Sequence, residues 1–78
     1  MTLRYEAEVR GTITSRDQAE TIRKLRIDHV GTWRHVGEMV RSKWMFDVGV
    51  DDTQLLGETA CHVAAELLGE DPGREPWN

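Results

Sequence analysis

Apolar and polar residues alternate along the N-terminal segment of the chain. The apolar or small residues occupy odd positions, namely Leu3, Tyr5, Ala7, Val9, Gly11 and Ile13, and charged or hydroxyl-bearing residues fill the even ones. A period of two is typical of a strand with one buried face and one face in water. The pattern therefore predicts a β-strand over residues 2–14.

A helix is predicted to follow this strand. Ser15 and Gln18 have the spacing of a capping box, in which the two side chains satisfy backbone N–H groups at a helix start. Gly31 is a natural helix stop in the left-handed conformation. Between them, one face recurs at helical spacing, formed by Ala19, Ile22, Leu25 and His29.

Residues 32–50 are interpreted as a β-hairpin with its turn near residues 41–43. The second arm alternates clearly, with Trp44, Phe46, Val48 and Val50 on one face. The first arm mixes apolar and charged residues on both faces, and Gly37 is interpreted as a bulge that swaps them. Such a mixed strand is expected at a sheet edge or beneath a partner.

A second helix is predicted from the N-cap chemistry at residues 51–53 to Gly69. Its apolar stripe consists of Leu56, Ala60, Val63 and Leu67. Residues 70–78 are polar, contain Gly and Pro, and show no periodicity, which predicts a flexible C-terminal tail. Trp77 is the candidate tail anchor: its ring could fold back on its own domain, pack on a second copy, or serve as a docking peptide.

These elements predict one α+β domain over residues 1–69, of order β-α-β-β-α. Two helices would cover one face of a three-stranded antiparallel sheet, a truncated ferredoxin-like arrangement. A 78-residue chain has a small core, and its single cysteine excludes an internal disulfide. Because the first strand would also lie at an open sheet edge, we predict a homodimer paired through that edge.

The net charge of −4 is unevenly distributed. Residues 1–44 carry nine basic and six acidic side chains (+3), whereas residues 45–78 carry one basic and eight acidic (−7). No apolar run has the length of a membrane span, and the N-terminus lacks the apolar stretch of a signal peptide, so a cytoplasmic protein is expected. Arginine outnumbers lysine eight to two, which favours a GC-rich bacterial or phage genome.

The outer face of the last helix is the candidate partner-binding site. Leu55, Glu58, His62 and Glu66 line up on it at helical spacing. An acidic stripe with an exposed leucine could dock on a basic partner, and a simple solvated face would show the same pattern. A basic face on the preceding helix, formed by Arg16, Arg23 and Lys24, could pair with this stripe between subunits.

No catalytic group, metal or cofactor is predicted. His62 lies four residues from both Glu58 and Glu66, a spacing that could orient an imidazole as a general base, but no nucleophile or Gly-rich loop accompanies it. Cys61 borders the apolar stripe and is expected to be a small buried hydrophobe. The spacing of His29, His35 and His62 matches no metal-ligand pattern.

The predicted sheet offers a second candidate surface around Trp33, His35 and Arg41. With neighbouring arginines and Lys43, this face could stack and bind single-stranded RNA. Glu6, Glu8 and Asp47 would share it and repel phosphates, so nucleic acid is not the expected partner.

The sequence therefore favours a small non-enzymatic protein-binding or regulatory module, an adaptor or inhibitor, acting through its acidic helical face and self-association. The first alternative is a small-ligand-binding or enzymatic dimer with a pocket at the subunit interface, around His35, His62 and the tryptophans. The second is single-stranded RNA binding on the sheet face.

Overall fold

The computed structural model describes residues 4–28, 32–48 and 52–70, and within these ranges the chain forms helices and no strand. Its elements are α1 (Arg4–Thr12), α2 (Arg16–Asp28), α3 (Trp33–Trp44) and α4 (Thr53–Leu68). The predicted α+β, ferredoxin-like fold with a three-stranded sheet is therefore wrong. Residues 4–12 of the predicted first strand and residues 33–41 of the first arm of the predicted hairpin are helical.

Residues 4–12 of the first predicted strand form α1, and the strand pattern arose from the spacing of Val9, in α1, and Ile13, directly after it. Val9 and Ile13 are 0% and 1% exposed and stand four positions apart. Residues at i and i+4 share a face in a strand, after two periods, and also in a helix, after just over one turn. Ala7 and Gly11 distinguish the two structures: a strand would bury them beside Val9, but both are exposed.

The first arm of the predicted hairpin is α3, with the same ambiguity of spacing. Val36 and Val40 are fully buried and again lie four positions apart. The helix begins after Thr32, whose hydroxyl accepts a hydrogen bond from the backbone N–H of His35 at 3.2 Å. It ends at Met45 in the left-handed conformation (φ 57°), so the predicted turn at residues 41–43 lies inside the helix.

The second arm of the predicted hairpin is a short irregular segment after α3. Phe46 and Val48 are buried, whereas Met45 and Asp47 are exposed, so the alternation of burial was predicted correctly. Trp44, however, is the last residue of α3, and residues 45–48 form no strand. Val50 lies outside the described residues.

The capping box predicted at the start of α2 is confirmed. The Ser15 hydroxyl accepts from the backbone N–H of Gln18 at 3.1 Å, and the Gln18 side-chain oxygen accepts from the backbone N–H of Ser15 at 3.1 Å. Ala19 and Ile22 of the predicted apolar stripe are fully buried. His29 and Gly31 lie outside the described residues.

The predicted end of α4 at Gly69 is also confirmed. Gly69 has φ 77°, its N–H donates to the Glu66 carbonyl at 3.1 Å, and the N–H of Glu70 donates to the Ala65 carbonyl at 2.8 Å. These are the two hydrogen bonds of a Schellman motif, which glycine favours because the left-handed conformation costs it little. At the other end, Asp52 precedes the helix but makes no side-chain cap hydrogen bond.

α4 is the central helix of the molecule. It packs most extensively against α3, then against α2 and α1. Because neighbours cover several of its sides, its buried residues are not confined to one stripe; they are Thr53, Leu56, Gly57, Ala60, Cys61, Val63, Ala64 and Ala65. All four helices contribute to one hydrophobic core.

Two glycines allow α3 and α4 to approach until their backbones touch. A Cβ atom on Gly37 would overlap the carbonyl oxygen of Thr53, and a Cβ atom on Gly57 would overlap the carbonyl oxygen of Trp33. Backbone atoms held inside helices cannot move aside as a flexible side chain can. Gly37 is therefore a packing residue in the middle of a helix, and its interpretation as a β-bulge is wrong.

The helical fold removes the basis of one further prediction. The homodimer was expected to form through the open edge of the first strand, and residues 4–12 are a helix with no such edge. Self-association by another surface stays a prediction. Trp77 and the rest of the predicted tail beyond Glu70 lie outside the described residues.

Candidate functional site

A shallow groove of about 290 Å³ runs between α1 and α4 and opens to solvent. We call it the α1–α4 groove. Two residues of α1 and five of α4 line it: Glu6, Arg10, Glu58, Thr59, His62, Val63 and Glu66. Three of the four residues predicted as a partner-binding face, Glu58, His62 and Glu66, are among them.

Helical spacing places these side chains together. Glu58, His62 and Glu66 follow one another at intervals of four along α4, so they share one side of it. Leu55 precedes Glu58 by three positions on the same side and is 42% exposed, one of the few large apolar side chains left in water. The four side chains therefore lie on one side of α4, with Leu55 toward its N-terminal end.

An ion pair from α1 crosses this surface. The guanidinium of Arg10 binds both carboxylate oxygens of Glu66, with Nη1–Oε1 at 2.7 Å and Nη2–Oε2 at 3.2 Å, and also contacts Glu6 at 2.9 Å. The hydrogen bonds from Arg10 lower the pKa of Glu66, and those of the two carboxylates raise the pKa of Arg10. Glu66 is thus already paired within the chain.

The ion pair also separates the groove from a second depression. A second depression of about 440 Å³ continues beyond it, and both depressions share Arg10, Val63 and Glu66. The second is lined in addition by Ile13, Thr14 and Leu67. The Arg10–Glu66 pair therefore lies across the middle of a longer channel between the two helices.

The charge of the groove favours a cation. Glu6, Glu58 and Glu66 bring three carboxylates and Arg10 one guanidinium, which leaves −2 before any charge on His62. Arg10 forms ion pairs with Glu6 and Glu66 but not with Glu58, which lies nearest to Leu55 in the sequence. An anionic ligand would have to overcome this charge, whereas a lysine or arginine side chain would be attracted by it.

The second predicted surface is not brought together by the structure. Trp33 is partly buried, with the guanidinium carbon of Arg26 stacked 4.5 Å from its ring centroid. His35 is exposed on another side of α3, and the Nη1 of Arg41 donates to the Val48 carbonyl at 2.9 Å. The sheet face proposed for single-stranded RNA therefore does not exist in the described residues.

The basic residues predicted on the first helix contact the end of α4 in the same chain. Arg16 donates to the Leu67 carbonyl at 3.2 Å, and the Nε of Arg23 lies 3.3 Å from Glu70. The last turn of α4 has no basic residue of its own, so these α2 cations complement its negative dipole end. Arg16 and Arg23 thus make contacts within the chain, and the pairing of this face between subunits stays a hypothesis.

Cys61 is a core residue, as predicted. It is fully buried, and the loss of solvent raises the pKa of its thiol to about 12 despite the opposing charge of Arg26. The thiol thus stays protonated at neutral pH and gives His62 no nucleophile to activate. In the described part of the chain, no group of three or more His, Cys, Asp or Glu side chains could hold a metal ion.

Sequence reasoning missed the contribution of α1 to the site. Glu6 and Arg10 were placed on a strand, where they would point to the same face without meeting α4. The signal that could have found them is their spacing, since Glu at i and Arg at i+4 form a favourable pair on a helix.

Comparison of the chain with protein-family models, with curated proteins and with solved structures gives no match. Within the described ranges, no helix has both the length and the apolar character needed to cross a membrane. Function must therefore be argued from the groove and the surfaces around it.

Proposed function

We propose that this protein is a non-enzymatic binding module whose α1–α4 groove docks a basic, amphipathic segment of a partner protein. The observation that supports this most directly is the net charge of −2 in an open groove beside the exposed side chain of Leu55. Charge selects the partner and steers its approach, and an apolar contact supplies affinity. By covering a basic site on its target, such a module would act as an inhibitor or adaptor.

The residues of the groove have different roles in this proposal. Glu58 receives a lysine or arginine of the partner, and Leu55 packs against an apolar residue about one helical turn away on the partner segment. The Arg10–Glu66 pair links α1 to α4 across the groove. A partner cation near Glu66 would compete with Arg10. A contact at Glu66 therefore contributes less binding free energy than a contact at Glu58.

The test uses a fluorescent amphipathic peptide that carries Arg and Leu on one helical face, and it measures anisotropy as the protein is added. A scrambled peptide of the same composition, and one with Glu in place of Arg, serve as probe controls. Glu58→Lys reverses a charge in the groove and is expected to weaken binding at least about tenfold. Leu55→Asp is expected to weaken it by a similar factor.

The matched control is Glu20→Lys, which makes the same charge change at an exposed carboxylate on α2, outside the groove. It should change affinity by no more than about twofold, the size of a long-range charge effect. Equal losses in Glu58→Lys and Glu20→Lys would show attraction by net charge alone and would overturn the proposed site. So would equal binding of the ordered and scrambled peptides.

A further inference from the structure

The side of the molecule opposite the α1–α4 groove has a different charge. α3 carries Arg34, Arg41 and Lys43 against Glu38, a net charge of +2, whereas α4 carries Glu58 and Glu66 and no basic residue. At about 100° per residue, Glu66 lies about 180° around α4 from Gly57, the residue that α3 packs against. The positive helix and the negative groove therefore lie on opposite sides of α4.

The outer face of α3 has a basic border on each side of a polar centre. Val36, Gly37 and Val40 face the core, so the arc opposite them consists of His35, Glu38 and Ser42, all exposed. Arg34 and Arg41 flank this arc on one side, and Lys43 flanks it on the other. Of these, Arg34 and Lys43 are exposed; Arg34 donates to the Thr53 hydroxyl at 3.5 Å, and Arg41 donates to the Val48 carbonyl.

The connection between α2 and α3 has the length found in a helix-turn-helix. α2 ends at Asp28 and α3 begins at Trp33, so four residues separate them, and both helices pack on α4. In such motifs the second helix lies in the major groove of DNA, with the residues of its first turns at the base edges. Here Thr32, Arg34 and His35 are exposed at that end.

The structure changes where the carboxylates lie that the sequence set against phosphate binding. Glu6 and Glu8 were expected on the same sheet face as the cations, but both are on α1. Glu6 binds Arg10, and Glu8 accepts a hydrogen bond from the backbone N–H of Asp47 at 3.0 Å. Glu38 is the carboxylate on the outer face of α3, and Asp47 lies beside it, in a depression shared with Glu38, Arg41 and Ser42.

We propose that α3 docks in the major groove of duplex DNA, with Arg34 and Lys43 on the phosphates to either side and His35, Glu38 and Ser42 toward the base edges. The B-form major groove admits an α-helix, whereas the narrow major groove of A-form RNA does not. This activity goes beyond the proposed protein-binding function, because it uses the opposite side of the molecule. Because cations that contact phosphates release counterions from DNA, binding is strongest at low salt.

The experiment measures anisotropy of a labelled mixed-sequence DNA duplex with the full chain, over a range of salt concentrations. Saturable binding is expected at low salt. Its affinity should fall with salt with a log–log slope of about −2 to −3, as two or three phosphates are neutralised. Arg34→Gln and Lys43→Gln should each weaken binding about three- to tenfold, and Glu38→Gln should strengthen it about threefold, because it removes a negative charge facing the DNA.

The matched control is Arg16→Gln, which removes the same charge at the other end of the molecule, where Arg16 contacts Leu67. Circular dichroism confirms that each variant is folded. No binding at low salt, or an equal loss in Arg16→Gln and Arg34→Gln, would overturn the proposal. Equal affinity for an RNA duplex of the same sequence would also overturn it, because it would indicate attraction by charge without docking in the groove.

The two proposals can fail separately. Glu58→Lys is expected to weaken peptide binding and leave DNA binding unchanged or slightly tighter, whereas Arg34→Gln should weaken DNA binding and leave peptide binding unchanged. If each variant affected both ligands equally, neither site would be supported.

Discussion

On one side α4 meets α3 through glycine, backbone against backbone, and on the other it meets α1 through long charged side chains. The first interface leaves no space: Cβ atoms on Gly37 or Gly57 would overlap main-chain oxygens. The second leaves a groove of about 290 Å³ that an Arg10–Glu66 ion pair bridges, with both side chains nearly half exposed. One helix thus has a closely packed side and an open one.

This difference separates the residues that hold the fold from those available for binding. A close backbone contact excludes water and tolerates no added atom, so it fixes the relative position of two helices. An exposed ion pair contributes little to stability and leaves polar groups within reach of a ligand. The open side of α4 is accordingly where the binding groove lies.

The largest expected effect comes from adding one methyl group to the closely packed side. Gly37→Ala places a Cβ on the carbonyl oxygen of Thr53, and we expect it to lower the free energy of unfolding by at least about 3 kcal/mol, or to prevent folding. Gly11→Ala is the matched control: it adds the same methyl in α1, where nothing lies within 4 Å. Helix propensity should make that variant about 0.5–1 kcal/mol more stable.

Urea denaturation followed by circular dichroism measures both variants. If Gly37→Ala unfolds at the same urea concentration as the unmodified chain, α3 and α4 are not in backbone contact. Failure of Gly37→Ala to fold, while Gly11→Ala folds normally, would agree with the structure.

The same comparison explains which parts of the fold could be predicted from the sequence. The ends of α2 and α4 were predictable because local hydrogen bonds define them: Ser15 with Gln18, and the Schellman bonds around Gly69. The contact of Gly37 with Thr53 is between helices distant in sequence. From the sequence alone, a glycine needed for close helix packing cannot be distinguished from a glycine needed for a β-bulge.

The helices α1 and α3 were missed for a related reason. Their buried pairs, Val9 with Ile13 and Val36 with Val40, are spaced by four, which fits a strand as well as a helix. Only the exposure of the residues between them separates the two structures, and tertiary packing decides that exposure. The misassignment also hid half of the groove, because the contribution of α1 through Arg10 depends on its being helical.

The second prediction concerns local opening, and it compares two fully buried residues on the two sides. The backbone N–H of Val9 is in α1 and that of Ala64 is in α4, and both side chains are fully buried. Because α1 packs mainly on α4 and makes fewer contacts than α3 does, it should open without global unfolding. We expect the free energy of opening to be about 1–2 kcal/mol lower at Val9 than at Ala64.

Native-state hydrogen exchange measured by NMR gives both values in one experiment. Arg10→Gln should increase exchange in α1 and leave α3 unchanged, since it removes the ion pairs to Glu66 and Glu6. Equal opening free energies at Val9 and Ala64 would mean that α1 and α4 unfold as one unit. The α1 side of α4 would then be no easier to open than the α3 side.

The smallest expected effect is that of the ion pair on the open side. Arg10 lowers the pKa of Glu66 below its ordinary value near 4.5, so the charged carboxylate is favoured in the folded state. The resulting stability is present above pH 4.5 and is lost as the pH falls through the folded-state pKa. Because Glu66 is about half exposed, its contribution at pH 7 is about 0.5 kcal/mol, and Glu66→Gln should lower the free energy of unfolding by that amount.

A double-mutant cycle of Arg10→Gln and Glu66→Gln, measured by urea denaturation, isolates this contribution. The coupling energy should disappear in strong acid, where Glu66 is protonated, and shrink in high salt, where exposed charges are screened. A coupling of about 2 kcal/mol or more at pH 7, or one that persisted in acid, would show that the pair is held as rigidly as a buried one. The α1 side of α4 would then be as tightly fixed as the α3 side. A partner's cation could not replace Arg10 at Glu66.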